Sequence, residues 1–464
     1  MRLVFEAVVS LVIVASTGAL QAAAPNYTME QAVTLAQTQN PDIAVARQKL
    51  KAARGGLIEA RSGYLPSIVS TGLARERQHQ TDSRLRDEDY NASLRVVQSL
   101  YTGGAVRSQV AIAQLNLEKQ DLELKAVCDR VAMDVRLAFN ELLLNRAKIR
   151  VHEQSVGVLD EELKSQQERF NAGLVGLLNV RRAEVALANE RSELIDAQTQ
   201  LKNSYLRLDQ LLGTDSADST SSLEVTGQLQ YHPRHPDLNE CLARADTARP
   251  EIQASQRQIE IEDQQANLDR SEQRPQVEFF SGYEVYNERD PLIGPEFNHG
   301  YVLGLNAKWH IFDGYATKGR LEATHARRAA AMQTLGATRL SVASEVRSAF
   351  LDLQQADHVL ESETKNVQTA DESLEIAKAN LGAGLGTQLD ILQAASDVTR
   401  TRTTRLSAIY LHNVALARLA RACATSPEAL GFAPKNSGSR SADNKRGGAA
   451  ATDVARPPKK LTGR

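Results

Sequence analysis

The chain has 464 residues, of which 24% are charged and 5% are aromatic, and its formal net charge is −2 at pH 7. A nearly neutral chain rich in Ala, Leu, Gln, Arg and Glu is typical of long helices and lacks the positive excess that a polyanion-binding surface needs. The composition therefore excludes a surface devoted to nucleic acid, and we expect no nucleic-acid partner.

Residues 1–24 are typical of a secretory signal peptide. Arg2 supplies a short positive region, residues 7–15 form an apolar core, and Ala22-Ala23-Ala24 is a small-residue exit. The apolar run is short for a membrane anchor, and no cysteine near the exit could accept a lipid. Beyond it the sequence has no apolar run of about 18 residues, so no transmembrane helix is predicted.

Two short helices follow. A capping box at Thr28 is predicted to open the first, and Asn40-Pro41 is predicted to separate it from a second helix that ends near Ser62. The same order of signals returns 209 positions later, at Asp237, Arg249-Pro250 and Ser271. A constant offset indicates an internal duplication, with a first repeat at 25–213, a linker at 214–236 and a second repeat at 237–432.

Each repeat then changes from helical periodicity to strict alternation, which predicts one β-hairpin per repeat. The hairpins are predicted at 67–101 and 276–312, with polar loops at 78–89 and 287–300, and the last strand is predicted to reach Ile311. Strands of about ten residues are long enough to cross a bilayer when tilted.

Aromatic residues concentrate in these hairpins. Twelve of the 21 aromatic residues lie within 64–101 and 279–315, and aromatic side chains at strand ends are favoured at a lipid–water interface. The predicted membrane strands and aromatic belt include Tyr90, Tyr101, Phe279, Tyr283, Tyr301 and Trp309. A soluble sheet with one face on a protein core would alternate in the same way, so that alternative stays open.

A very long helix is predicted after each β-hairpin. Apolar residues recur at every seventh position, which is the period of a coiled-coil seam, at Val135, Leu142, Ile149, Val156, Leu163 and Phe170 and again at Val346, Leu353, Leu360, Val367, Leu374 and Leu381. Glycine-rich turns at 171–176 and 382–386 are predicted to reverse each helix, forming helical hairpins at 105–212 and 315–423. Each would extend on the order of 100 Å. Gly384 follows Gly173 by 211 positions.

The remaining features predict little chemistry. From residue 433 to 464 the pattern is lost, which predicts a disordered, mildly basic tail. The three cysteines, Cys128, Cys241 and Cys423, form no CxxC motif, and Cys128 continues the first seam as a buried thiol. No catalytic, nucleotide-binding or metal-binding motif is present, so we expect no enzyme, no cofactor and no metal site.

Four strands cannot close a membrane barrel, because the smallest closed barrels have about eight. If the strands enter a membrane, several chains must share one barrel. The strand hairpins lie at one end of the long helices and the glycine turns at the other, so the barrel would continue into a tube of helices. A secreted protein with such a tube fits a bridge across the bacterial periplasm.

In this pattern the chain resembles the TolC-like outer-membrane efflux proteins. The residues that carry the resemblance occur in the same order twice, and they are Asn40-Pro41 with Tyr64-Leu65-Pro66, Leu100 to Gly104, Ile311 to Gly314, Arg169 to Gly173 and Ala383 to Thr387. The resemblance implies an α+β membrane protein in the bacterial outer membrane. It also implies a homotrimer with a shared 12-stranded β-barrel and a trimeric α-barrel, and two partners, a periplasmic adaptor and an inner-membrane pump.

The resemblance also implies a periplasmic gate at the glycine turns. The expected helical-hairpin tip, where an adaptor would bind, consists of Gly173, Leu174, Gly176, Gly384, Leu385, Gly386 and Thr387. Asp390 is the candidate for a ring of three carboxylates that would repel one another, raise their own pKa values and attract cations. Gln388 and Gln393 stand where a latch arginine and a second acid are sometimes found, and Asn179 is the uncharged equivalent of Asp390 in the first repeat.

Two other functions remain open at this point. One is an outlet for a type I protein secretion system in place of drugs or other small compounds, because cargo is chosen mostly by the pump. The other is a soluble periplasmic coiled-coil scaffold whose sheets pack on protein.

Overall fold

The computed structural model describes residues 26–76, 87–214, 224–288, 290, 292 and 297–430. The predicted signal peptide (1–24) and the predicted basic tail (433–464) lie outside the described residues, as do most of the first strand loop and residues 215–223 of the linker.

The elements follow one another twice in nearly the same order. In the first half they are β1 (Asn26–Tyr27), α1 (Met29–Gln39), α2 (Pro41–Ser62), β2 (Ser67–Glu76), β3 (Glu88–Tyr101), α3 (Ala105–Asn171) and α4 (Leu177–Leu212). In the second half they are β4 (Glu224–Val225), α5 (Leu238–Ala248), α6 (Pro250–Ser271), β5 (Gln276–Asn287), β6 (Phe297–Lys308), α7 (Ala316–Gly382), α8 (Gln388–Ala422) and a 3₁₀ turn (Pro427–Ala429). The capping box predicted at Thr28 is present at the start of α1.

The two β-hairpins join into one antiparallel sheet with the strand order β2-β3-β5-β6, while β1 and β4 form a separate parallel pair. The last strand is shorter at its end than the alternation predicts. Lys308 pairs with Gln276, the first residue of β5, so the chain beyond Lys308 has no neighbouring strand. Trp309 therefore lies outside the sheet, and its indole N–H donates to the carbonyl of Gln273 at 3.0 Å. The strand also begins at Phe297, within the predicted polar loop.

The four long helices form one layer. α3 packs on α4 and on α8, and α7 packs on α8, so that α4 and α7 lie at the two outer edges. Next to the sheet, α2 and α6 pack along α3, and α6 also packs along α7. Both α3 and α7 contain 67 residues, which corresponds to about 100 Å.

No helix within the described ranges combines the length and the apolar character needed to cross a membrane.

Within the described residues three larger apolar clusters stabilise the layer, and a smaller one around Leu360 joins α7 to α8. One joins α1 and α2 to the middle of α3 and the end of α4 around Phe139, and a second joins α5 and α6 to α7 and the end of α8 around Val346. The third connects the two helical hairpins through Leu159, Leu187 and Leu374. Phe170, the last residue of the first predicted seam, is exposed because it lies in the final turn of α3, beyond these clusters.

A buried polar residue lies at each junction between the short helices and forms a hydrogen bond to a long helix. The Asn40 side chain accepts from the N–H of Asp42, which caps α2, and donates to the carbonyl of Leu211 at 2.8 Å. In the second half, the Arg249 guanidinium donates to the carbonyl of Arg421 at 3.0 Å. Each contact ties a helix junction to the end of the return helix of the same repeat.

Candidate functional site

One face of the four-stranded sheet is apolar. Residues paired directly across neighbouring strands project to the same side, and the register pairs Leu94 with Tyr283 and Tyr283 with Tyr301. The large apolar side chains exposed on this face are Ile68, Tyr90, Leu94, Val96, Tyr283, Val285, Phe297, Tyr301, Leu303 and Leu305. Within the described residues no helix packs extensively on the sheet, which disagrees with the alternative of a sheet covered by its own protein core.

The opposite, polar face has most of the sheet's polar side chains, and it also includes Val69, Leu73 and Tyr286. Thr71 and Ser93 share a hydrogen bond of 2.7 Å, and the Arg95 guanidinium lies 3.0 Å from the Glu284 carboxylate on the adjacent strand. The register also puts Asn91, Asn298, Glu278 and Asn306 on this side. In a membrane β-barrel, one face of the strands is apolar and meets lipid, and the other is polar and lines a water-filled lumen.

Two glycines on the polar face allow close packing, Gly304 against the Phe280 ring and Gly282 against the backbone of β3. A Cβ at Gly304 would lie 2.6 Å from the Phe280 ring, and one at Gly282 would lie 2.4 Å from the carbonyl oxygen of Leu94. The Arg95 guanidinium lies 5.9 Å from the centre of the same Phe280 ring, within the range of a cation–π contact.

The structure sorts the predicted aromatic belt into two groups. Trp309 lies outside the sheet and is held by the hydrogen bond to Gln273 described above. The other five belong to the apolar face by their register: Tyr90, Tyr101, Phe279, Tyr283 and Tyr301. Tyr101 keeps this side because a register shift after Ser99 pairs it with Val277.

At the far end of the helices, both glycine turns have the same backbone geometry. Gly173 and Gly384 have φ angles of +76° and +75°, a region that favours glycine. The N–H of Leu174 bonds to the carbonyl of Arg169, and that of Leu385 bonds to the carbonyl of Asn380, each at 2.8 Å. These bonds close a Schellman motif at the end of each long helix.

The tips present leucine side chains to solvent. Leu174 is 75% exposed and Leu385, its equivalent 211 positions later, is 83% exposed. Leu178 and Leu389 repeat the relationship one turn into the return helices and are also exposed. Apolar side chains clustered at the end of a molecule mark a surface that another protein can cover.

Thr387 caps the return helix of the second repeat, and Asp390 completes its capping box. Its carboxylate accepts hydrogen bonds from the backbone N–H and the hydroxyl of Thr387, both at 2.8 Å. The backbone bond, followed by the hydroxyl bond, lowers the pKa of Asp390 below its ordinary value. Within one chain the shift is therefore opposite to the rise expected for a ring of like charges. The first repeat has Gly176 at the cap position and no side-chain cap.

Gln388 connects the two helical hairpins. Its side chain is 5% exposed, and its Nε2 atom donates to the carbonyl of Asn179 in α4 at 2.9 Å. The Oε1 atom is also buried, and among the described residues it has no hydrogen-bond partner. Gln393 is exposed and contacts Asp397 of its own helix at 3.4 Å. The structure thus brings Gln388 and Asn179 together and leaves Gln393 apart.

Further polar contacts between helices, both within the second hairpin and between the two hairpins, were not predicted from the sequence. The Thr399 hydroxyl lies 2.9 Å from that of Ser155, and Arg402 contacts Gln154 at 3.1 Å and Asp371 at 3.0 Å. Their partners lie on other helices, so no local pattern could reveal them. Within the described ranges, no three His, Cys, Asp or Glu side chains are grouped as a metal site requires.

Comparison with known proteins supports the same architecture. The chain is 24% identical to the protein CyaE of Bordetella pertussis over 396 residues, which cover 84% of this chain and 83% of CyaE. It is 22% identical to the outer membrane protein TolC of Vibrio cholerae over 425 residues, covering 90% and 95%. The solved structure of the outer membrane protein VceC of Vibrio cholerae superposes with a TM-score of 0.72 at 18% identity, covering 86% of this chain and 96% of VceC.

The profile of the outer membrane efflux protein family matches the chain twice, at residues 32–214 and 242–425. The family is one of transport channels and not of enzymes. Four antiparallel strands at one end of two long helical hairpins are the fold of these channels. The chain belongs to the outer membrane efflux protein family.

Proposed function

We propose that three copies of the chain close into one tunnel that carries solutes from the periplasm through the outer membrane. The observation that carries the proposal is the sheet, which has an apolar exposed face and two open edges, β2 and β6. In lipid, unpaired backbone groups at an edge are costly, so neighbouring copies must pair β6 of one with β2 of the next. Three copies supply twelve strands.

The helical layer supports the same assembly. Its outer helices, α4 and α7, lack a second long-helix neighbour within the described residues. Each has large apolar side chains exposed along its length, including Val185, Ile195 and Leu206 on α4 and Leu340, Leu351 and Ile376 on α7. Packing α4 of one copy on α7 of the next would bury them and close a tube that continues the barrel.

In the trimer, the apolar sheet face meets lipid and the polar face with Arg95 and Glu284 lines the lumen. The helices extend on the order of 100 Å into the periplasm, with the glycine turns at the far end. There three Asp390 carboxylates form the entrance ring, in which cations are favoured. The exposed tip leucines Leu174 and Leu385 bind a periplasmic adaptor, which couples the channel to an inner-membrane pump.

The proposed cargo is drugs or other small compounds. Export of a protein by a type I system is the second candidate, because the same conduit serves both when the pump differs. Deletion of the gene separates them: increased sensitivity to toxic compounds supports efflux, whereas loss of a secreted protein without such sensitivity supports secretion.

The assembly is tested with the purified protein in detergent and in planar bilayers. We expect a trimer that dissociates only on heating, and a steady ion conductance. Leu303→Arg places a charge on the lipid face at the middle of β6 and should reduce assembly, since such a charge costs about 2–4 kcal/mol at the bilayer midplane. Asn306→Arg, on the polar face of the same strand, is the matched control and should assemble. A stable water-soluble monomer would overturn the proposal.

The adaptor contact has its own test. Leu174→Asp with Leu385→Asp makes both tips polar at exposed positions. Export in cells should fall while the purified trimer and its conductance stay unchanged. Normal export by this variant would contradict the assignment of the tip.

A further inference from the structure

The short helix α5 and the end of α8 contribute to the same apolar cluster, and each brings a cysteine to it. Cys241 is in the first turn of α5 and Cys423 caps the end of α8. Both are buried in the second apolar cluster, at 5% and 0% exposure. One turn after Cys241, the Arg244 guanidinium donates to the Thr425 hydroxyl at 3.3 Å, which shows that the two segments run side by side.

Both thiols lie in this one cluster, and their interaction lowers the pKa of Cys241 and raises the pKa of Cys423. The third cysteine, Cys128, was predicted to be buried but is only partly buried, and it packs against the first apolar cluster, where desolvation raises its pKa. The three cysteines therefore divide into one pair that shares a cluster and one separate thiol.

The first repeat shows what packing alone requires at this contact. Cys241 follows Ala32 by 209 positions and Cys423 follows Leu212 by 211. These are the offsets that relate the helix junctions and the glycine turns of the two repeats. Ala32 and Leu212 are both fully buried in the first cluster. An ordinary apolar pair thus satisfies the packing, and in the second repeat both members are cysteine.

We propose that Cys241 and Cys423 form a disulfide bond in the mature protein. The inference rests on the periplasmic location of the helices proposed above, because disulfides form and persist in that oxidising compartment. Both thiols are buried in one cluster beside the contact of Arg244 with Thr425, so a small movement would bring them to bonding geometry. The bond would fasten α5 to the end of α8, where the described chain leaves the helical layer.

The oxidant is a protein disulfide of the thiol–disulfide oxidoreductase class. One cysteine thiolate attacks a sulfur of the donor disulfide and expels a donor thiolate, which leaves a mixed disulfide. The second cysteine thiolate then attacks the sulfur of the first and releases the other donor thiolate. The pair loses two protons and two electrons, and the donor becomes a dithiol. Because the folded pair is buried, exchange takes place before α5 docks on α8.

The test counts thiols in the wild-type chain, expressed with its own leader and isolated from the envelope. Cells are quenched in acid, and the denatured chain is alkylated with N-ethylmaleimide. We expect one label per chain, on Cys128, and three after reduction. A non-reducing peptide map should show the Cys241 and Cys423 peptides joined. Three labels without reduction, or a bond that includes Cys128, would overturn the proposal. A trimer that conducts ions but has three free thiols would leave the channel function standing.

A second measurement tests whether the disulfide raises the thermal stability of the protein. The disulfide closes a loop in which Cys423 follows Cys241 by 182 positions, and long closed loops stabilise most. Reduction should lower the thermal midpoint of the wild-type protein and of Cys128→Ser by several degrees. Cys241→Ala with Cys423→Ala should melt at the reduced midpoint and not respond to reductant. Equal midpoints for oxidised and reduced wild-type protein would count against the bond.

Discussion

The side-chain amide of Gln388 donates a 2.9 Å hydrogen bond to the backbone carbonyl of Asn179. The two residues are 209 positions apart, and their bond joins the two helical hairpins. The bond lies at the first turn of both return helices, directly above the glycine tips. It is buried, so water does not compete for the donor, and the two hairpins of one chain are held together at the proposed entrance.

Loss of this bond should loosen the tip. Gln388→Leu keeps the side-chain volume and removes the donor, at a cost of about 1 kcal/mol, which corresponds to roughly a fivefold shift between closed and open arrangements. We expect a larger mean conductance in planar bilayers. Gln393→Leu, on the exposed side of the same helix, is the control and should conduct like the wild type. Identical conductance of both variants would show that the bond does not restrain the tip.

The Asp390 carboxylate should remain charged down to unusually acidic pH. Because hydrogen bonds from Thr387 lower its folded-state pKa, the charged carboxylate stabilises the start of α8 above the ordinary Asp pKa. That contribution is lost as pH falls through the lowered value. Thr387→Ala removes one of the two donors and should move the acidic loss of cation selectivity to higher pH. Thr387→Ser should behave like the wild type, and no difference between the two variants would contradict the assignment.

A second carboxylate at the entrance should strengthen cation preference. Asn179 is the equivalent of Asp390 by the offset of 211 positions. Asn179→Asp adds up to three negative charges per trimer. The reversal potential in a salt gradient should therefore shift toward the equilibrium potential of the cation. Asp390→Asn should shift them in the opposite direction. If both substitutions leave the reversal potential unchanged, the ring does not line the entrance.

Gly304 should not tolerate a side chain. An added Cβ would meet the Phe280 ring at 2.6 Å, and such overpacking typically costs about 1–3 kcal/mol. Gly304→Ala should reduce the amount of heat-labile trimer in the outer membrane. Gly300→Ala lies on the same strand with nothing within 4 Å of the added atom, and it should assemble normally. Equal trimer yields would mean that Phe280 moves without cost.

Asn40 should contribute to stability through two separate bonds. Asn40→Ala removes the cap of α2 and the donor to Leu211, and loss of a cap alone typically costs about 1 kcal/mol. Asn40→Asp keeps the cap acceptor and removes only the donor. The thermal midpoint should fall most for Asn40→Ala and less for Asn40→Asp. A larger loss for Asn40→Asp would indicate that the Leu211 bond dominates.

Several features of the fold follow from local patterns. Capping residues, the change from helical to alternating periodicity and the glycine turns are short-range signals, because sterics and solvation act within a few residues. The matching of these signals at offsets of 209 and 211 positions predicted the two-fold repetition of elements that the structure shows. The end of β6 was missed because the alternation continues to Ile311, while pairing stops where β5 begins.

Local sequence patterns were enough to locate most helices and strands and to predict one apolar sheet face. Three relationships appear only once the chain is folded: β3 pairs with β5, Gln388 is buried against Asn179, and Cys241 and Cys423 share one apolar cluster. The difference comes from separation along the chain. Periodicity reports the environment of each residue, whereas a contact between segments about 200 positions apart depends on how whole helices and strands pack.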